Sequence, residues 1–200
     1  MNPNFLDEIV QAQKQGQSRG IVSICSAHPW VLKAAMKHAG TKTSPLLVES
    51  TCNQVNQFGG YTGMTPAAFV AYARSLTLEN GFPIEMLILG GDHLGPNVWK
   101  NEPAWSAMQK SAGMLQAYVQ AGYTKIHLDA SMKLGDDDPA GPLDLELVAR
   151  RTAWLAKVAE SAGADLSPEG CQMPIGPNRT PPSVSCSTRS ASPMPLAKLR

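Results

Sequence analysis

Apolar positions along this chain change period in a regular way. Residues 4–14 place Phe5, Leu6, Ile9 and Val10 at helical spacing, which predicts a short N-terminal helix. Residues 20–26 form an apolar run through Ile21, Val22, Ile24 and Cys25 that reads as a buried strand. After it, Val31, Leu32, Ala35, Met36 and Ala39 recur on one side of a helix. A second strand is predicted over 45–49. Thr65-Pro66, an N-cap and first-turn pair, then opens a helix facing inward through Phe69, Val70, Ala73 and Leu76. Residues 86–89 predict the third strand, and Trp105, Met108, Ala112, Leu115 and Val119 mark the helix after it. The fourth strand covers 125–128 and the last helix 142–161. Gly40, Gly81, Gly122 and Gly163 stand where helix C-termini are expected.

Four β/α units in series predict a parallel sheet with right-handed crossovers. Two architectures compete, an open doubly wound sheet and a (β/α) barrel. The strand ends decide between them. Ser26 and His28, Glu49 and Asn53, Asp92 and His93, and Asp129 and Ser131 put polar chemistry at all four carboxyl ends. A barrel gathers those ends onto one site, whereas an open sheet concentrates its site at a switch point. The expected fold is α/β, a TIM-type (β/α) barrel of which the first four β/α units are present.

The pattern stops at Gly163. Residues 164–200 hold seven of the sixteen prolines and none of the twelve aromatics, with no helix or strand period. Such a segment buries too little apolar surface to offset the entropy of ordering it. The chain therefore divides into a barrel segment, 1–163, and an irregular Pro/Ser-rich tail, 164–200, read as disordered or translated out of frame.

Composition narrows the function classes. A net charge of +1 over 200 residues gives no electrostatic basis for a nucleic-acid partner. No apolar run approaches the ~20 residues of a membrane span. The first residues lack the charged segment and apolar stretch of a signal peptide. Cys25, Cys52, Cys171 and Cys186 show no CxxC spacing, which favours a reduced, cytoplasmic protein.

The densest chemistry lies at Leu89-Gly90-Gly91-Asp92-His93-Leu94-Gly95-Pro96-Asn97. An acid beside an imidazole at the end of a buried strand can serve as general acid/base and metal ligand. The alternative is structural, with Asp92 capping the loop and His93 bonded to a backbone carbonyl. Asp129 and Glu49 are further catalytic candidates; Glu49 could instead pair with a lysine. His127 shares a strand face with Asp129 by the period of two, and reads as a satisfied core residue rather than a ligand. The loop 53–66 is rich in amides and glycines. Its Asn53, Asn56, Gly59 and Gly60, with Ser131, are candidates to bind the hydroxyls of a sugar phosphate, with backbone N–H groups near Thr65 meeting the phosphate; the alternative is an ordered loop that seals the barrel mouth or an interface. No GxxxxGK[ST] or helix-opening GxGxxG pattern occurs.

Four segments together closely resemble the Z-subunit family of tagatose-1,6-bisphosphate aldolase, the GatZ/KbaZ type. They are residues 23–29 (Ser-Ile-Cys-Ser-Ala-His-Pro), 49–64 (opening Glu-Ser-Thr-Cys-Asn-Gln), 89–97 and 125–132 (Lys-Ile-His-Leu-Asp-Ala-Ser-Met). The resemblance covers residues 5–163. It implies a TIM barrel related to class II, zinc-dependent ketose-bisphosphate aldolases, acting in galactitol or N-acetylgalactosamine catabolism. It also implies a non-catalytic subunit that supports a separate catalytic Y subunit. By the class II pattern, His93 would bind zinc and Asp92 would transfer protons, while the remaining zinc histidines lie on later strands. Family members are about twice this length, so the resemblance implies a chain truncated or frameshifted after about residue 163. The alternatives are a zinc-dependent aldolase using Asp92 and His93, and a non-functional pseudogene product.

Overall fold

The computed structural model describes residues 5–165 and 183–186. The elements run α1 (Phe5–Lys14), β1 (Ser23–Cys25), α2 (Pro29–Lys42), β2 (Leu46–Thr51), α3 (Pro66–Glu79), β3 (Leu87–Leu94), α4 (Ala104–Gln120), β4 (Lys125–Leu128), α5 (Leu145–Asp165) and β5 (Ser183–Cys186). Short 3-10 turns flank β3 at Ile84–Met86 and Pro96–Trp99. All strand pairs are parallel and the order is β1-β2-β3-β4-β5. A doubly wound sheet must reverse its strand order at a switch point. This one does not, and its helices pack in sequence, α2 on α3, α3 on α4 and α4 on α5. The arrangement is that of a TIM-type barrel wall.

Side chains divide by strand period. Leu46, Val48, Leu87, Leu89, Ile126 and Leu128 point outward into the core that the helices cover. Leu32, Met36, Phe69, Ala73, Leu115 and Tyr118 meet them from the helices. Ser50 also points outward, and its hydroxyl lies 3.1 Å from both the Tyr118 and Tyr123 hydroxyls. Burial holds both phenols well above their ordinary pKa, so they stay neutral hydrogen-bonding groups.

The four expected β/α units all form, and a fifth strand joins them. Residues 164–200 were expected to be irregular throughout, yet β5 pairs in register with β4 from Lys125↔Ser183 to Leu128↔Cys186. The pairing uses backbone groups along the otherwise open edge of β4, a source of order that side-chain periodicity does not reveal. Ala164 and Asp165 end α5, and the rest of that tail lies outside the described residues. Two helix ends also differ from expectation. Helix α2 continues through Gly40, and the left-handed cap falls on Thr43, with φ 50°. Helix α5 likewise passes Gly163. Gly81 and Gly122 do adopt positive φ just beyond α3 and α4. Val31 and Trp105, expected on inward faces, are exposed in the first turns of α2 and α4.

The loop before α5 is tied to it by Asp137, whose carboxylate accepts two hydrogen bonds from the Arg151 guanidinium at 2.6 and 2.7 Å. Both side chains are about one-tenth exposed. The Arg151 hydrogen bonds hold the Asp137 carboxyl below its ordinary value of 3.8. A depressed folded-state pKa adds stability above the unfolded value, and that contribution fades as pH falls through the folded one. Asp137→Asn should therefore cost about 2 kcal/mol at neutral pH, the scale of charged hydrogen bonds. Urea unfolding of wild type and variant should converge below pH 4; a gap independent of pH would show that the ion pair is not its source.

Candidate metal centre

The inner face of the sheet is polar in two layers. The deeper layer is the row Cys25, Glu49, Gly90 and Lys125, set side by side by strand register. Gly90 carries no side chain, so Glu49 and Lys125 reach each other across it and form a buried ion pair. A Cβ on Gly90 would lie 2.9 Å from Glu49 Oε1. The Ser23 hydroxyl donates to the other Glu49 oxygen. Burial, followed by the charges of Asp92 and Glu49, pushes the Cys25 thiol up to about 11, so it stays protonated; it faces Gln54 Oε1 at 3.6 Å.

The upper layer depends on a β-bulge. Gly91 pairs with Ile126 and Leu94 with Leu128, so Asp92 and His93 both stand opposite His127. In a regular strand two consecutive side chains point to opposite faces. Here His93 takes φ 49°, a left-handed conformation costly for any residue with a Cβ, and both side chains reach the inner face. Asp92 Oδ1 lies 2.8 Å from His127 Nδ1 and 3.9 Å from His93 Nε2. His93 Nδ1 lies 3.1 Å from Asp129 Oδ2, and the two imidazole rings sit 4.4 Å apart. The Cys52 thiol donates to the His93 carbonyl at 3.4 Å and tethers the bulge to the end of β2.

Both carboxyls of this layer fall below their ordinary pKa. For Asp92, burial acts upward but is outweighed by the His127 hydrogen bond and the neighbouring charges of His93, Lys125 and His127. For Asp129, burial is outweighed by the Ser131 hydroxyl and N–H and by His93. Asp92, His93 and His127 each offer a ligand atom, all within 4.8 Å of one another. Two imidazoles and a carboxylate suit zinc, which takes three protein ligands in open sites.

The structure thus brings Asp92, His93, Asp129 and Ser131 together. It places Glu49 one layer deeper, with a lysine. Asn56 is buried inside its loop, its amide donating to the Cys52 carbonyl while its Oδ1 accepts from the N–H groups of Phe58 and Gly60. Gly60, with φ 56°, lets the backbone pass Gln54, whose carbonyl a Cβ would approach to 2.4 Å. Gly59 is buried and Asn53 is exposed at the start of the loop. Sequence reasoning missed His127 and Lys125 as members of the site, though they lie two and four residues before Asp129 and so share its face of the strand. Among the described residues, no helix is long and apolar enough to cross a membrane.

Parallel β/α units in barrel order, with an acid–imidazole cluster at the strand ends, define a TIM-type barrel protein with a candidate metal centre. The profile of the family described as D-tagatose-1,6-bisphosphate aldolase subunit GatZ/KbaZ-like matches residues 6–183, and the chain belongs to that family. A curated relative from Salmonella newport, named D-tagatose-1,6-bisphosphate aldolase subunit GatZ, is 52% identical over 160 residues. The match covers 80% of this chain and 37% of that protein. A relative of the same name from Salmonella heidelberg is 54% identical over 155 residues, covering 78% and 36%. A crystal structure titled a probable tagatose 6 phosphate kinase, from Sinorhizobium meliloti, superposes with TM-score 0.69 at 53% identity. That superposition covers 72% of this chain and 37% of the other. The chain therefore spans little more than a third of the length of these relatives.

Proposed function

We propose that this chain acts as the Z component of a tagatose-1,6-bisphosphate aldolase, supporting the activity and stability of a catalytic Y subunit in galactitol or N-acetylgalactosamine catabolism. The observation that carries the reading is 52% identity over 160 residues to a protein named as that subunit. Within it, Asp92, His93 and Asp129 form the centre facing the sugar bisphosphate, Ser131 borders it through its bonds to Asp129, and Asn53 is a candidate to bind the sugar's hydroxyls. A zinc-class ion held by His93 would polarise a ketose carbonyl as a Lewis acid. Asp129 orients the His93 ring through Nδ1 and is itself held by both Ser131 donors. His127 fixes the Asp92 carboxylate through a hydrogen bond at Oδ1, and that carboxylate is the group that would move a proton.

The test is reconstitution. The 200-residue chain, added to a purified catalytic aldolase subunit, should co-elute with it and raise the rate or half-life of tagatose 1,6-bisphosphate cleavage. The chain alone should cleave nothing. Zinc-dependent cleavage by the chain alone would favour the second reading, an aldolase using Asp92 and His93, which the compact acid–imidazole cluster supports. A folded chain that neither co-elutes nor activates would reject the subunit role.

A further inference from the structure

We propose that His127 is itself a metal ligand, so that β3 and β4 together hold one zinc-class divalent ion between Asp92, His93 and His127. The class II pattern uses the histidine of the Asp-His pair and histidines from later strands; an imidazole two residues before the Asp129 position is not among its ligands. The inference rests on reading the strand-end cluster as a metal site, and not on whether the chain assists a second subunit.

The geometry around His127 Nδ1 is the first argument. This nitrogen faces Asp92 Oδ1 at 2.8 Å, and one ligand atom from each of Asp92, His93 and His127 lies within 4.8 Å of the others. A divalent cation touching both would take the place of the proton that His127 shares with Asp92. The second argument is the state of His93. Asp129 at Nδ1 fixes the proton on that nitrogen and leaves the Nε2 lone pair free, 3.9 Å from the same Asp92 oxygen. This is the carboxylate–histidine–metal arrangement that fixes a ligand's tautomer and aim.

Charge gives the third argument. Glu49 and Lys125 neutralise each other in the layer below, whereas two carboxylates, Asp92 and Asp129, stand in the upper layer with imidazoles as their partners. A divalent ion balances them. The backbone gives the fourth, because the bulge and the left-handed His93 are an observed strain whose effect is to turn Asp92 and His93 toward His127. Two nitrogens and one carboxylate oxygen select a borderline ion such as zinc or cobalt over magnesium or calcium, which take oxygen ligands.

The full chain, stripped with a chelator, should bind one equivalent of Zn2+ by calorimetry and give the visible absorption of Co2+ in a four-coordinate N/O site. His127→Gln should weaken zinc binding at least about 100-fold, and Asp129→Asn by about 10–100-fold. His38→Gln, at an exposed position of α2, should change nothing. The decisive variant is His127→Cys, which should keep Co2+ and add a thiolate-to-cobalt charge-transfer band. Circular dichroism in chelator checks that each variant folds. Wild-type affinity and an unchanged Co2+ spectrum in His127→Gln would overturn the proposal, as would a Co2+-loaded His127→Cys lacking the sulfur band. A wild-type chain that takes up no zinc would also overturn it, while leaving the reconstitution result to judge the subunit role separately.

Discussion

Lys125→Met should cost about 3–5 kcal/mol of folding stability, because it strands the Glu49 carboxylate inside the barrel wall. For a chain of 200 residues that corresponds to a fall in Tm of roughly 6–20 °C. The Glu49 side chain is 8% exposed and its partners are the Lys125 ammonium and the Ser23 hydroxyl. Removing the lysine leaves one neutral donor for a buried charge. The double variant Glu49→Gln/Lys125→Met should recover most of the loss, since a neutral amide keeps a bond to Ser23 and brings no charge. Chemical unfolding of the two single variants and the double variant closes the cycle. Additive losses would show that the two side chains do not interact in solution and that the inner face is hydrated.

This ion pair also shows where sequence reading stops. A lysine partner for Glu49 is legible from an acid at a strand end, but the identity of that lysine is not. It depends on the register Glu49↔Gly90↔Lys125 and on the middle residue having no side chain. The helices, the four main strands and the choice of barrel over open sheet were legible, because amphipathic period and strand-end polarity are local signals. Asp92 and His93 were legible as chemistry for the same reason. Their joint orientation was not, since alternation sends neighbours to opposite faces, and only the bulge opposite His127 defeats it. His127 was accordingly read as a satisfied core residue. It is satisfied by the site itself. Strand β5 was invisible for a different reason: Ser183–Cys186 joins the sheet through backbone pairing along β4, which no apolar period announces.

Gly95→Ala should be the most damaging single methyl in the described chain. Gly95 leaves β3 directly beside the end of β4, where the Asp129 N–H donates to the Leu94 carbonyl at 3.0 Å. A Cβ at Gly95 would lie 1.7 Å from the Asp129 carbonyl oxygen, a contact with backbone that no rotamer can relieve. The two strand ends must separate, and Asp129 carries the carboxylate that aims His93. The expected loss is about 4 kcal/mol or more, at the upper end of single-residue effects. Gly63→Ala provides the comparison: its φ of 74° also disfavours a side chain, but nothing lies within 4 Å of the added carbon. That variant should lose only the left-handed backbone cost, about 1–2 kcal/mol. In proton–nitrogen NMR spectra, Gly95→Ala should also shift the imidazole signals of His93 and His127, which Gly63→Ala should leave in place. Equal losses at the two glycines, or unmoved imidazole signals in a folded Gly95→Ala protein, would mean that the ends of β3 and β4 are not held at this spacing. The His93–Asp129 contact would then not depend on it.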